Sequence, residues 1–171
     1  MKQVAVITGA APLSLGESIA QTILDKLPEV TLVIIDVNKN KVLEKALVRR
    51  GRFVVFDLNP LNYGRGASGL KRFHVKLGKA LRQTLFGLSL SGINVLFNNA
   101  GVYDFGSLER TSDESIANLF GVNVLGHMYV LKTVMEVNVE LGRDNQRMLR
   151  MCESGSIQGV VVRKDRPVYS P

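Results

Sequence analysis

The chain has 171 residues, 46% hydrophobic and 22% charged, a balance that predicts one globular domain over residues 1–171 with a single core. It holds no run of about 18 apolar residues, and Met1-Lys2-Gln3 leads straight into an apolar stretch without a leader pattern, so no membrane partner and a cytoplasmic location are expected. Cys152 is the single cysteine, which excludes an internal disulfide; with His74 and His127 far apart in sequence, no metal site is expected either.

The first apolar run, Val4 to Ile7, is continuous rather than alternating, as a strand buried on both faces of a parallel sheet requires. Ile19, Ala20, Ile23, Leu24 and Leu27 then share one face of a helix opening near Gly16. Val30 to Ile35 is a second strand, ended by Asp36. Lys39 to Arg50 follows as a helix with Val42, Leu43, Ala46 and Leu47 inward. Phe53 to Phe56 is a third strand. A helix runs from about Ala67 to Leu88, weakened by Gly69, Gly78 and Gly87.

Ile93 to Phe97 is the fourth strand. Thr111-Ser112-Asp113-Glu114 has the look of a helix start with acidic residues in its first turn, and that helix continues to about Glu140. Arg143-Asp144-Asn145-Gln146 is a polar turn before a weaker fifth strand around Met148 to Cys152. There Arg150 and Glu153 stand where aliphatic residues are expected. The alternation of strands and helices predicts an α/β fold, a doubly wound parallel sheet with right-handed crossovers and helices on both faces.

The net charge of +7 raises nucleic acid as a partner. Its carriers, however, are scattered over two predicted helices: Lys39, Lys41, Lys45, Arg49 and Arg50, then Lys71, Arg72, Lys76, Lys79 and Arg82. Such charges form solvated helix faces, and no nucleic-acid partner is expected.

Chemistry concentrates in the loops after the strands. Thr8 to Gly16 joins the first strand to the first helix; its small residues let the backbone approach a pyrophosphate, and the helix N-terminus offers free amides. A plain tight turn reads the same way. Asp36, twenty residues after Gly16, suits the ribose hydroxyls of a dinucleotide and repels a 2′-phosphate, favouring NAD with NADP as the alternative; alone, it serves equally as a helix cap. Asn123 sits on the apolar stripe of Ile116, Leu119, Phe120, Val130, Leu131 and Val134, where a buried amide needs partners, at the least from backbone.

Thr8-Gly9 with Gly16 and Ala20, Asp57, and Asn98-Asn99-Ala100-Gly101-Val102 together resemble the short-chain dehydrogenase/reductase family. So does the tract from Thr111 through Asn123-Val124-Leu125-Gly126, and the similarity covers essentially the whole chain. The resemblance implies a Rossmann-type fold of three αβα layers and an NAD(P)-dependent oxidoreductase that moves a hydride between nicotinamide and a small alcohol or carbonyl substrate. It places Thr8, Gly9, Ser14, Leu15 and Gly16 at the cofactor loop, Asp57 and Leu58 at the adenine, and Asn99, Ala100 and Gly101 along the cofactor. Asn123 would join the proton relay through a water. Ser156, thirteen residues before Tyr169, would hold the substrate oxygen while Tyr169 passes the proton; Ser154 is the less suitable serine. His127 is expected to be structural. The family also implies homo-oligomers.

The sequence departs from the family pattern in three places. The cofactor loop is one residue longer than usual, with Ser14 or Leu15 in place of the middle glycine. The lysine that lowers the pKa of the tyrosine, near about 10 unperturbed, would fall two positions past Pro171. The strands and helices that complete the family's sheet and substrate pocket would also lie beyond it, so the domain is expected to be incomplete at its C-terminus. A second reading follows, a catalytically inactive, truncated Rossmann domain that binds nucleotide or a partner subunit.

Overall fold

Among the described residues, five parallel strands, β1 (Gln3–Thr8), β2 (Val30–Asp36), β3 (Gly51–Val55), β4 (Val95–Asn98) and β5 (Arg150–Glu153), hydrogen-bond in the order β3-β2-β1-β4-β5. The structure, a computed structural model, describes residues 3–48, 50–104, 107–144 and 149–154. The chain starts in the middle of the sheet, builds outward through β2 and β3, then returns to the other side of β1 with β4. That reversal opens a crevice at the C-terminal ends of β1 and β4, where ligands of doubly wound sheets bind.

Side-chain alternation along each strand separates two cores. Val4 and Val6 of β1, Val33 and Ile35 of β2 and Leu96 of β4 pack with Phe73, Leu77, Leu81 and Leu85 of α3 (Gly66–Gly87) and Val130, Val134 and Val137 of α5 (His127–Glu140). Ala5, Ile7, Leu32 and Ile34 face the other way, onto Ala20, Ile23 and Leu24 of α1 (Leu15–Lys26) and Leu43 and Leu47 at α2 (Lys41–Ala46). This is the expected three-layer αβα architecture. Burying a large aliphatic side chain contributes roughly 1.5–3 kcal/mol, so these two layers supply most of what holds the sheet.

Caps position the helices that frame the crevice. The Ser14 hydroxyl accepts from the Glu17 amide at 3.1 Å, starting α1. The α1 C-terminus is closed by Arg50, whose guanidinium donates to the carbonyls of Leu24, Leu27 and Val30. Asn40 caps α2 by accepting from Val42 and Leu43, and Ser112 caps α4 (Asp113–Phe120) by accepting from Ser115. The expected helix start at Thr111 to Glu114 is therefore present.

Three expectations need correction. The second helix spans six residues rather than twelve, and Val42 and Ala46 are exposed because so short a helix turns a single stripe, Leu43 and Leu47, inward. The third, by contrast, lies within one residue of its expected bounds, and Phe73, Leu77, Leu81 and Leu85 anchor it through its glycines. The helix after Thr111 is not uniform: a π-helical stretch, Gly121–Gly126, separates α4 from α5. Phe120, placed inward by its spacing, is 56% exposed just before that stretch.

Candidate functional site

All five strands run in one direction, so the loops at their C-terminal ends gather along a single edge. They line a groove of about 1160 Å³ from the glycine loop (Gly9, Ser14, Leu15) past Asp36 and Asp57 to Asn123 and Ser154. Its volume lies at or beyond the upper end of ordinary small-molecule sites, which suits an extended ligand.

The glycine loop is built by close backbone approach. Gly9 has φ +72°, and a Cβ there would stand 2.5 Å from the Ala100 Cα; a Cβ on Gly16 would stand 2.0 Å from the Gly9 carbonyl oxygen. Glycine is the residue that fits both positions. The extra residue is absorbed at Leu13, which has φ +64° and projects almost wholly into solvent. Glu17 braces the loop: one carboxylate oxygen accepts from the Leu13 amide at 2.7 Å, the other from Asn40 Nδ2 at 2.7 Å. Those bonds, the one from Asn40 foremost, hold the Glu17 carboxyl below its ordinary value.

Asp36 ends β2, is 5% exposed and lines the groove, and its Oδ1 accepts from the Asn38 amide at 2.9 Å. Asp57 is more heavily committed. Its two oxygens accept from the Asn59 amide at 2.9 Å and from Asn62 Nδ2 at 2.8 Å, and its carbonyl accepts from the Tyr63 hydroxyl at 3.0 Å. Burial first, then the Asp57 charge, pushes the Tyr63 phenol up to about 12. Leu58 is buried in the wall beside it.

Thr8 stands behind the groove rather than in it. Its buried hydroxyl donates to Asn98 Oδ1 and accepts from the amides of Asn99 and Ala100, each at 3.0 Å, so the first and fourth strand ends are tied together. Asn99 Nδ2 donates to the Gly9 carbonyl at 2.6 Å and its Oδ1 accepts from the Ser154 hydroxyl at 2.8 Å. One carboxamide thus spans the groove floor from the glycine loop to the end of β5.

Asn123 lies within the π-helical stretch and pairs reciprocally with the Val102 backbone, accepting from its amide and donating to its carbonyl, both at 2.9 Å. Asn123 is half-buried rather than buried, and the backbone partner expected of it is present. Ser156 and Tyr169 lie outside the described residues. Sequence reading missed Asn40, buried and bonded to the Ala10 carbonyl at 3.2 Å, and the groove role of His127. The signal for the second was Glu153, a charge where a strand should be aliphatic. It bonds His127 Nδ1 at 2.8 Å.

Among the described residues no helix is long and apolar enough to cross a membrane, and no cluster of three or more His, Cys, Asp or Glu could hold a metal ion.

Comparison with known proteins agrees with this arrangement. Galactitol 2-dehydrogenase of Agrobacterium fabrum is 24% identical over 153 residues, covering 90% of this chain and 54% of that protein. A short chain dehydrogenase/reductase of Burkholderia phymatum, solved in complex with NAD, superposes with TM-score 0.73 at 21% identity, covering 98% of this chain and 53% of that one. A 3-oxoacyl-[acyl-carrier protein] reductase of Brucella melitensis superposes with TM-score 0.76 at 20% identity, covering 99% and 63%. The structural likenesses establish the fold. The chain spans about half the length of the galactitol dehydrogenase it matches. The sequence model of the short chain dehydrogenases matches residues 71–170, more than half of the chain, and the protein belongs to the short-chain dehydrogenase/reductase family.

Proposed function

We propose that this chain is the dinucleotide-binding part of an oxidoreductase that moves a hydride between a nicotinamide cofactor and a small alcohol or carbonyl compound. The observation that carries the reading is the groove along the strand ends, with Asp36 at one side and the glycine loop packed on Ala100. Gly9, Ser14 and Leu15 would meet the pyrophosphate, shaped from behind by Thr8 and Gly16. Asp36 would accept from the ribose hydroxyls, which favours NAD over NADP. Asp57 and Leu58 would flank the adenine, and Asn99, Ala100 and Gly101 would follow the cofactor toward β5. The NAD bound in the Burkholderia phymatum structure supports a nicotinamide cofactor.

The bound nicotinamide would supply or accept the hydride. The chain's own residues would orient it and handle the proton. Ser156 would hold the substrate oxygen, Tyr169 would pass its proton, and Asn123 would serve the relay through a water. A cytoplasmic, homo-oligomeric protein without nucleic-acid partners completes this reading.

One observation favours the second reading, a domain that binds nucleotide or a partner subunit without turnover. Glu17 already occupies the Leu13 amide, so the glycine loop has spent one donor on its own carboxylate. Calorimetric titration with NAD and NADP, followed by hydride-transfer assays on a panel of secondary alcohols, separates the two. NAD should bind more tightly than NADP, and Asp36→Ala should weaken NAD by about tenfold or more while narrowing the difference. Binding without turnover supports the second reading, and failure of either dinucleotide to bind removes both nucleotide readings.

A further inference from the structure

The fifth strand poses a packing problem. Each residue from Arg150 to Glu153 is exposed, so β5 lacks the aliphatic anchoring that seats β1 and β2. Its C-terminal end nonetheless stays paired, with the Ser154 amide donating to the Asn98 carbonyl at 3.2 Å. Polar side chains do the seating. Glu153 Oε1 accepts from Asn98 Nδ2 at 3.0 Å, and Glu153 Oε2 lies 2.8 Å from His127 Nδ1. The far side of the same ring, Nε2, lies 2.5 Å from the Ala100 carbonyl oxygen. A carbonyl can only accept, so Nε2 is the donor to Ala100, and Nδ1 is the ring atom that faces Glu153.

We propose that Glu153 and His127 form a latch that fixes the C-terminal end of β5 on β4 at the floor of the groove, as positioning residues. The latch closes a ring of contacts: Glu153 to His127, His127 to Ala100, then along the chain to Asn99, whose carboxamide holds Ser154. Asn98 is held from two sides, donating to Glu153 and to the His127 carbonyl at 3.1 Å. Among the described residues Glu153 is the ionisable group within ion-pair distance of His127. On the oxidoreductase reading, on which its service to catalysis rests, the latch sets where the C-terminal end of β5 and Ser154 meet the groove.

Cys152, exposed on β5 and the single cysteine, gives a built-in reporter. A nitroxide attached there, read by electron paramagnetic resonance, should be ordered in the full chain. Glu153→Ala and His127→Ala should each mobilise it and speed hydrogen exchange of the Ser154 amide by about tenfold, the equivalent of one lost hydrogen bond. The double variant should fall short of the sum of the two, because the link between Glu153 and His127 is common to both. Glu153→Gln, close to isosteric and able to keep the Asn98 bond, should fall between and shift the His127 ring nitrogens in a long-range ¹⁵N spectrum. Glu140→Ala, which breaks the exposed pair with Arg82, should leave the label unmoved. Unchanged label mobility and Ser154 exchange in both alanine variants overturn the latch. Failure of the unsubstituted chain to bind either dinucleotide instead overturns the oxidoreductase reading and leaves these measurements interpretable.

Discussion

β2 and β5 belong to one sheet and run in one direction, yet they are held by different physics. From Leu32 to Asp36 every residue of β2 is buried, and the strand is gripped on both faces by two cores. β5 buries none of its four residues; beyond its backbone ladder with β4, it is held at its C-terminal end by the side chains of Asn98, Asn99 and His127. Apolar burial is strong and non-directional, so it seats a strand firmly but tolerates small shifts. Hydrogen-bonded side chains contribute less net energy, but they specify geometry and lose it abruptly when one partner is removed.

The sharpest way to break this contrast is truncation of matched positions. Ile34→Ala in β2 should cost about 2–5 kcal/mol in denaturant unfolding, as for other buried aliphatic residues. Met151→Ala in β5, half exposed, should stay within about 0.5 kcal/mol. Equal costs at the two positions would sink the distinction. A smaller effect belongs to the junction: Asn98→Ala leaves the His127 carbonyl, Thr8 and Glu153 without a shared partner and should cost about 1–3 kcal/mol. Chemical-shift changes should then appear at β5 before β2.

The smallest expected effect is at high pH, where burial and polar contact act on one group. Tyr63 is neutral when folded and its phenol is raised to about 12 from an ordinary 10.0. A raised folded value means the folded state binds the proton more tightly. That contribution is fully present below the unfolded value and is lost as pH rises through the folded one. Stability should therefore decline from about pH 10 toward 12, with Tyr63→Phe showing less of the decline; an ultraviolet titration at ordinary tyrosine values would contradict this.

The burial-driven half of the molecule was legible in the sequence. Runs such as Val30 to Ile35 carry their strand assignment in composition alone, and the glycine loop and Asp36 follow from their spacing. The polar half was not. Spacing puts Asn123 on an apolar stripe but does not name Val102, which comes from a loop 21 residues earlier. Glu153 looked like a flaw in a weak strand until Asn98 and His127, from two other elements, supplied its partners. Val42, Ala46 and Phe120 misled for a related reason: helical period shows a face, but helix length and the π-helical stretch decide how far that face continues.

The π-helical stretch also works as a phase shifter. A π turn adds a residue to the helical count, and each residue of an α-helix advances the side-chain direction by about 100°. Gly121–Gly126 puts such wider turns between α4 and α5, within the stretch that carries Asn123. Leu119 can point into the protein, Asn123 can reach Val102, and Val130, Val134 and Val137 can still meet the sheet. A polar grip on a loop and an apolar grip on a sheet are thus met one after the other along a continuous run of helix, with the change of count between them.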